Sequence, residues 1–368
     1  MNRRSLNTST PSLILTVLRN PKLISEFSEL QWDLLIRQAR AAGLLARMGL
    51  ILLSKGLQAE IPDKVWRHFE SDIQLVEAIK RNVDWEVERI SDALSPLGIK
   101  IILLKGAAYT LSGVSASLGR LYQDTDIMVD KAKLDDVERM LMWYGWVDGE
   151  QDEYDQQYYR QWMHELPPKY HKNRATTLDI HHNIIPKTCA LCPDAELLLK
   201  AVVNIPGSNC WTLAPEDMIL HSASHLFWGG EFDNGLRDLS DIDLLLGEFC
   251  GKDSDFWKKL LARAELLGLG MPLFYALRYS RKLLETPVPE PVLNASKVHA
   301  PSFSKLKIMD GLFERALIPS HPSCDDCYSG LARWLLYLRS HCLKMPLQLL
   351  IPHLTRKAWL RLNGDEQH

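Results

Sequence analysis

Gly119-Arg120-Leu121-Tyr122-Gln123-Asp124-Thr125-Asp126-Ile127-Met128-Val129 is the stretch on which the fold turns. Side chains alternate along a strand, so carboxylates two residues apart leave the same face. Two such groups repel each other unless a cation sits between them. An oxygen-rich pair suits Mg2+, which completes its octahedron with phosphate oxygens and water. Ile127, Met128 and Val129 would anchor the strand and leave Asp124 and Asp126 at its mouth. An Asp-x-Asp pair alone is weak, since surface turns supply many and this chain has another at Asp241 and Asp243. The neighbours decide.

Upstream, Gly98-Ile-Lys-Ile-Ile-Leu-Leu104 is a short apolar, β-branched run that reads as a buried strand. Lys105-Gly106 ends it, and a helix of small residues follows over 107–111. A glycine there lets the backbone approach a phosphate, and a helix N-terminus offers free N–H groups and a favourable dipole. Downstream, Thr176-Thr-Leu-Asp-Ile-His181 reads as a third strand. Asp179 stands between Leu178 and Ile180, and an isolated carboxylate inside an apolar strand is costly without a partner. A cation held by Asp124 and Asp126 would be one; an ion pair with Arg174 or Lys172 would be another. Lys105 could equally be a solvated strand end, and Arg120 a scaffold residue of its own loop.

Working outward, residues 1–12 read as a disordered tail and 13–97 as an N-terminal helical region, with one helix ending near Gly56 and a second over 62–94. Residues 98–192 form the mixed α/β core, with an amphipathic helix over 132–144. The acid-, Gln- and Tyr-rich segment 148–172 reads as a surface segment or hairpin arm. Residues 193–368 read as a C-terminal helical region, with helices at 193–203, 215–228, 236–248, 254–267, 271–284, 329–343 and 346–361. The fold class is α+β, a small mixed sheet flanked by helices.

Of the 368 residues, 46% are apolar and 24% charged, so the chain can bury a core without disulfides. A net charge of −3 argues against the broad basic footprint of a nucleic-acid binder. The apolar runs are far shorter than the roughly 20 residues of a membrane span. The start is a poor secretory signal, and seven scattered cysteines fit a reducing compartment, so the expectation is cytoplasmic.

The run Leu103-Leu-Lys-Gly-Ala-Ala108, then Gly119-Arg120, Asp124-Thr-Asp126-Ile-Met-Val129 and Leu178-Asp-Ile-His181 resembles the bacterial nucleotidyltransferase-like family. That family is a distant branch of the DNA polymerase β-type nucleotidyltransferase superfamily. Leu213-Ala-Pro-Glu-Asp-Met-Ile-Leu-His221, His225 and Leu236-Arg-Asp-Leu-Ser-Asp-Ile-Asp243 resemble its helical half. The resemblance implies a nucleotidyltransferase-type sheet in which Asp124, Asp126 and Asp179 hold two Mg2+ ions against a nucleoside triphosphate. The third acid helps receive the proton of the attacking hydroxyl. It further implies Lys105 and Arg120 as phosphate-facing cations and Gly106 as the close-approach point. The superfamily usually has Gly-Ser or Gly-Gly where this chain has Lys105-Gly106.

His181 shares the face of Asp179, and a structural role is the expectation for it. His221 and His225, at i and i+4, read as a packed helix face rather than zinc ligands. Cys189-x-x-Cys192 and Cys324-x-x-Cys327 would form a four-thiolate zinc site only if the fold joined them across about 130 residues. Two functions compete. One is transfer of a nucleoside monophosphate from a triphosphate to an unknown small-molecule, sugar or protein hydroxyl. The other is a binding or scaffold protein on a degenerate nucleotidyltransferase fold.

Overall fold

The computed structural model describes residues 12–122, 124–149, 153–174, 176–346 and 348. The 1–12 tail, except Ser12, and nearly all of the 346–361 helix expected from the sequence lie outside the described residues.

The strands are β1 (Ile101–Leu103), β2 (Asp124–Met128), β3 (Trp146–Asp148), β4 (Lys169–His171), β5 (Thr177–His181), β6 (Val203–Asn204) and β7 (Cys210–Thr212). They form one mixed sheet in the order β3-β4-β5-β2-β1-β7-β6. β2 lies parallel to β5 and antiparallel to β1, while β7 runs parallel to β1 on its other side. The three strands legible in the sequence are thus adjacent at the centre of the sheet. Two differences concern its flanks. The 148–172 segment is a β3/β4 hairpin arm with the Glu153–Trp162 helix inserted in it, and Cys210–Thr212, between the expected 193–203 and 215–228 helices of the C-terminal helical region, pairs with β1. The second was invisible because Cys-Trp-Thr is too short to show a period of two.

The sheet separates two apolar cores. Ile101, Leu103, Ile127, Val129, Leu178 and Ile180 face a smaller one, closed by Val83, Val87 and Ile90 of the Asp63–Leu94 helix and by Val137 and Leu141. Ile102, Leu104 and Met128 face the larger one, built with the N-terminal helices and the Pro215–Trp228 and Gly270–Tyr279 helices. The alternation that places Ile127 on the small core therefore places Asp124 and Asp126 on the other face, toward the helical half. Ahead of the sheet, the expected single helix ending near Gly56 is two, Glu29–Ala41 and Leu45–Ser54, broken at Gly43 where φ is +63°. A glycine adopts that left-handed backbone without steric cost. No helix among the described residues is long and apolar enough to cross a membrane.

Candidate active site

The parallel pairing of β2 and β5 sets Asp126 directly opposite Asp179, with Asp124 opposite Thr177. Carboxylate oxygens of Asp124, Asp126 and Asp179 lie within 4.8 Å of one another. The two segments supplying the acids are about fifty residues apart, and only the strand register brings them together.

Asp126 is 3% exposed and has two cationic or polar partners. Lys105 Nζ donates to its Oδ1 at 2.8 Å, and His181 Nε2 lies 3.0 Å from the same oxygen. Burial alone would raise the Asp126 carboxyl, but Lys105 and His181 outweigh it and hold the group well below the usual carboxylate range. Asp179 is the opposite case. Burial, then the charges of Asp126, Glu165 and Asp124, push it up to about 7 against a weaker pull from His181. Its Oδ1 is buried without a hydrogen-bond partner among the described residues. The structural ion pair conceivable for it goes elsewhere: Arg174 donates to Glu86 at 2.7 Å.

Lys105 opens the Lys105–Ser112 helix with φ +44°, one of two non-glycine residues with positive φ among the described residues. Such a backbone costs a side-chain-bearing residue about 1–2 kcal/mol. The backbone here has a geometry that suits glycine, while the side chain turns onto Asp126. Asp126 outweighs burial and holds the ammonium protonated, above the usual lysine range. Gly106 is fixed by packing: an added Cβ would stand 2.7 Å from Cγ of the Tyr122 ring. Tyr122 in turn shares a hydrogen bond with Thr110.

Arg120 is not gathered with the acids. Its guanidinium is buried and bonded to Asp241, with Asp238 at 3.4 Å, both on the Gly235–Lys252 helix. Arg47, wholly buried, meets Asp241 at 2.8 Å and donates to the carbonyls of Ala116 and Leu118. Gly119, φ +59°, lies so close that a Cβ would stand 2.3 Å from Arg47 N. The Gly119-Arg120 pair thus ties the loop before β2 to both helical regions. The second Asp-x-Asp is accounted for as well, since Asp243 accepts from Thr286.

His164 and Glu165 carry no motif that marks them as part of a site. They follow the Glu153–Trp162 helix, and a single bridge sets Glu165 against His181. Glu165 Oε2 lies 3.3 Å from His181 Nδ1. Burial depresses His181, but Glu165 and Asp126 outweigh it and raise it. His164, by contrast, is held well below the ordinary imidazole range, by burial first and then by His181 and Lys105. Beside this cluster a cavity of about 310 Å³ lies between the core and the Ser329–Lys344 helix. His164, His225, Trp228, Glu231, Tyr337 and Lys344 are among its walls. His221 is buried and kept neutral by burial, and burial brings His225 down to about 3.

The two Cys-x-x-Cys pairs do not meet in a metal cluster among the described residues. Cys192 Sγ lies against Asn183 and the Ile185 carbonyl, whereas Cys324 Sγ lies against Ser12.

A family model described as uncharacterised nucleotidyltransferase matches residues 28–285, well over half the chain. The chain belongs to this family. The matched span of this nucleotidyltransferase-family chain takes in all seven strands and the acid cluster. No curated protein and no solved structure matches it.

Proposed function

We propose that the chain is a Mg2+-dependent nucleotidyltransferase that moves a nucleoside monophosphate from a triphosphate to an acceptor hydroxyl. One observation carries this reading: three buried or half-buried carboxylates converge from β2 and β5, and one of their oxygens, Asp179 Oδ1, is left unpartnered. A buried carboxylate oxygen left without a hydrogen bond among like charges is costly, and a divalent cation satisfies that requirement. Asp124, Asp126 and Asp179 would hold the metal, two ions by the family pattern. When bound, it neutralises triphosphate charge and makes the acceptor hydroxyl more acidic.

The chain's own residues do the rest. In the transfer the acceptor oxygen bonds to the α-phosphorus, the bond from that phosphorus to the bridging oxygen breaks, and pyrophosphate leaves with the electron pair. The acceptor proton passes to a carboxylate, and Asp179 is the acid to which the resemblance gives that step. Lys105 supplies a fixed positive charge beside the acids. The cavity under the Ser329–Lys344 helix, which His164 lines, would hold the acceptor.

One feature favours a second reading, a binding protein on a degenerate fold. The Lys105 ammonium already occupies an oxygen of Asp126. Incubation with α-labelled triphosphates and Mg2+ separates the two. The enzyme reading expects label on a metabolite or protein and its loss in Asp126→Asn; the absence of metal-dependent triphosphate binding by the intact chain would refute it.

A further inference from the structure

We infer that His164, Glu165 and His181 form a second metal site, distinct from the three aspartates and selective for a zinc-like divalent ion. Ligand-capable atoms of these three side chains lie within 4.8 Å of one another. Two unpaired ring nitrogens support this assignment. His181 Nδ1 is buried and makes no hydrogen bond although Glu165 Oε2 is 3.3 Å away, and His164 Nδ1 is likewise buried and unpartnered. His181 itself is 1% exposed. A dry, unpaired His181 Nδ1 3.3 Å from a carboxylate oxygen that also lies 4.0 Å from His164 Nε2 is unfavourable unless something else is bound there.

The other side of the His181 ring supports the assignment. Metal-bound histidines usually give their second N–H to a carboxylate, which fixes the tautomer and leaves the opposite nitrogen with a lone pair. Asp126 is that carboxylate here, 3.0 Å from His181 Nε2. Two imidazoles and one carboxylate select zinc and its transition-metal neighbours over Mg2+, which prefers oxygen throughout. Three protein ligands leave a tetrahedral ion one exchangeable position. His164 also lines the cavity beneath the Ser329–Lys344 helix, so that position opens where a small molecule can enter. The site does not depend on nucleotidyl transfer and would stand in a protein that transfers nothing.

Zinc titration of the full-length, chelator-treated protein against a chromophoric competitor tests this. Wild type is expected to take up one zinc that His164→Ala and Glu165→Gln each lose, with affinity falling by more than about 100-fold. Asp126→Asn, which removes the carboxylate behind His181 together with the partner of Lys105, is expected to weaken zinc by about 10–100-fold without abolishing it. Cobalt as a replacement ion guards against misfolded variants, because it is read on wild type. A tetrahedral visible spectrum without thiolate charge transfer is expected. No bound metal, a thiolate-type spectrum pointing to the cysteine pairs, or unchanged zinc affinity in folded His164→Ala and Glu165→Gln would overturn the inference.

Discussion

Asp179→Asn is expected to stabilise the metal-free protein while removing its affinity for Mg2+. In the folded chain the carboxyl sits at about 7, because burial and the neighbouring acids oppose its charge. An unfolded chain would ionise it near 4. Between about pH 4 and pH 7 the folded state therefore holds a proton that the unfolded state has lost, and stability falls as pH rises through that window. Below the window the cost vanishes; above it the cost is complete. At about 1.4 kcal/mol per pH unit, three units give about 4 kcal/mol against folding at pH 8, and about 1–2 kcal/mol at pH 5. Asparagine keeps the shape and removes the charge, so its advantage should grow with pH by about 2–3 kcal/mol between those two conditions.

Urea unfolding in the presence of chelator, at both pH values, reads this difference directly. Repeating it with saturating Mg2+ should reverse the order, since a ligand that binds only the folded state stabilises it by mass action and the variant has lost a ligand. A variant less stable than wild type at pH 8, with a deficit that does not move with pH, would refute the reasoning. Asp179 would then be a satisfied structural residue, and the case for a cation between the strands would fail with it.

Other perturbations separate the site from its scaffold. Lys105→Gly relieves the backbone strain at φ +44° but leaves Asp126 buried without its ammonium. Breaking a buried pair costs about 3–5 kcal/mol and the relief returns about 1–2, so a net loss of about 1–4 kcal/mol in chelator is expected, recovered with Mg2+ by the same unfolding assay. Asp241→Asn strips two buried guanidiniums, Arg47 and Arg120, of their shared partner and should cost about 3–5 kcal/mol whether or not Mg2+ is present. Gly106→Ala drives a methyl into the Tyr122 ring and should cost about 1–2 kcal/mol after the helix-propensity gain; pairing it with Tyr122→Ala should give less than the sum of the two losses.

The centre of the sheet was legible because each of its signals is local. Residues 101–104 and 127–129 are short apolar runs and Leu178 and Ile180 flank Asp179 in a third, while the period of two assigns Asp124 and Asp126 to a common face without any knowledge of neighbours; that Asp179 joins them follows from the register of β2 and β5. The helical half was legible for the same reason: the expected 62–94, 215–228 and 329–343 helices match Asp63–Leu94, Pro215–Trp228 and Ser329–Lys344 closely. What stayed hidden depends on long-range pairing. Nothing in Met-His-Glu-Leu announces that Glu165 bridges to His181, and Cys210–Thr212 becomes a strand only because β1 offers it an edge. Arg120 shows the converse error of reading a charge by proximity in sequence. It stands four residues before Asp124, yet the helix bearing Asp238 and Asp241 claims it from more than a hundred residues away.

These placements change what Lys105 means. With Arg120 committed to the scaffold and Gly106 held open for the Tyr122 ring, Lys105 is the cation among the expected phosphate contacts that touches the acids. It does so from a backbone that would suit glycine better. A lysine with no role at this turn would be expected to relax the backbone, or to point at solvent, where it costs nothing. Instead the strained φ persists and the ammonium lies on Asp126, inside a cluster with an unpartnered Asp179 oxygen and two unpartnered imidazole nitrogens. Strain and unpaired polar atoms both oppose folding, and their concentration at one end of two parallel strands is the pattern of a site held ready for charge it does not contain. In that setting a single lysine offsets part of the repulsion among four carboxylates and leaves the remainder to incoming cations.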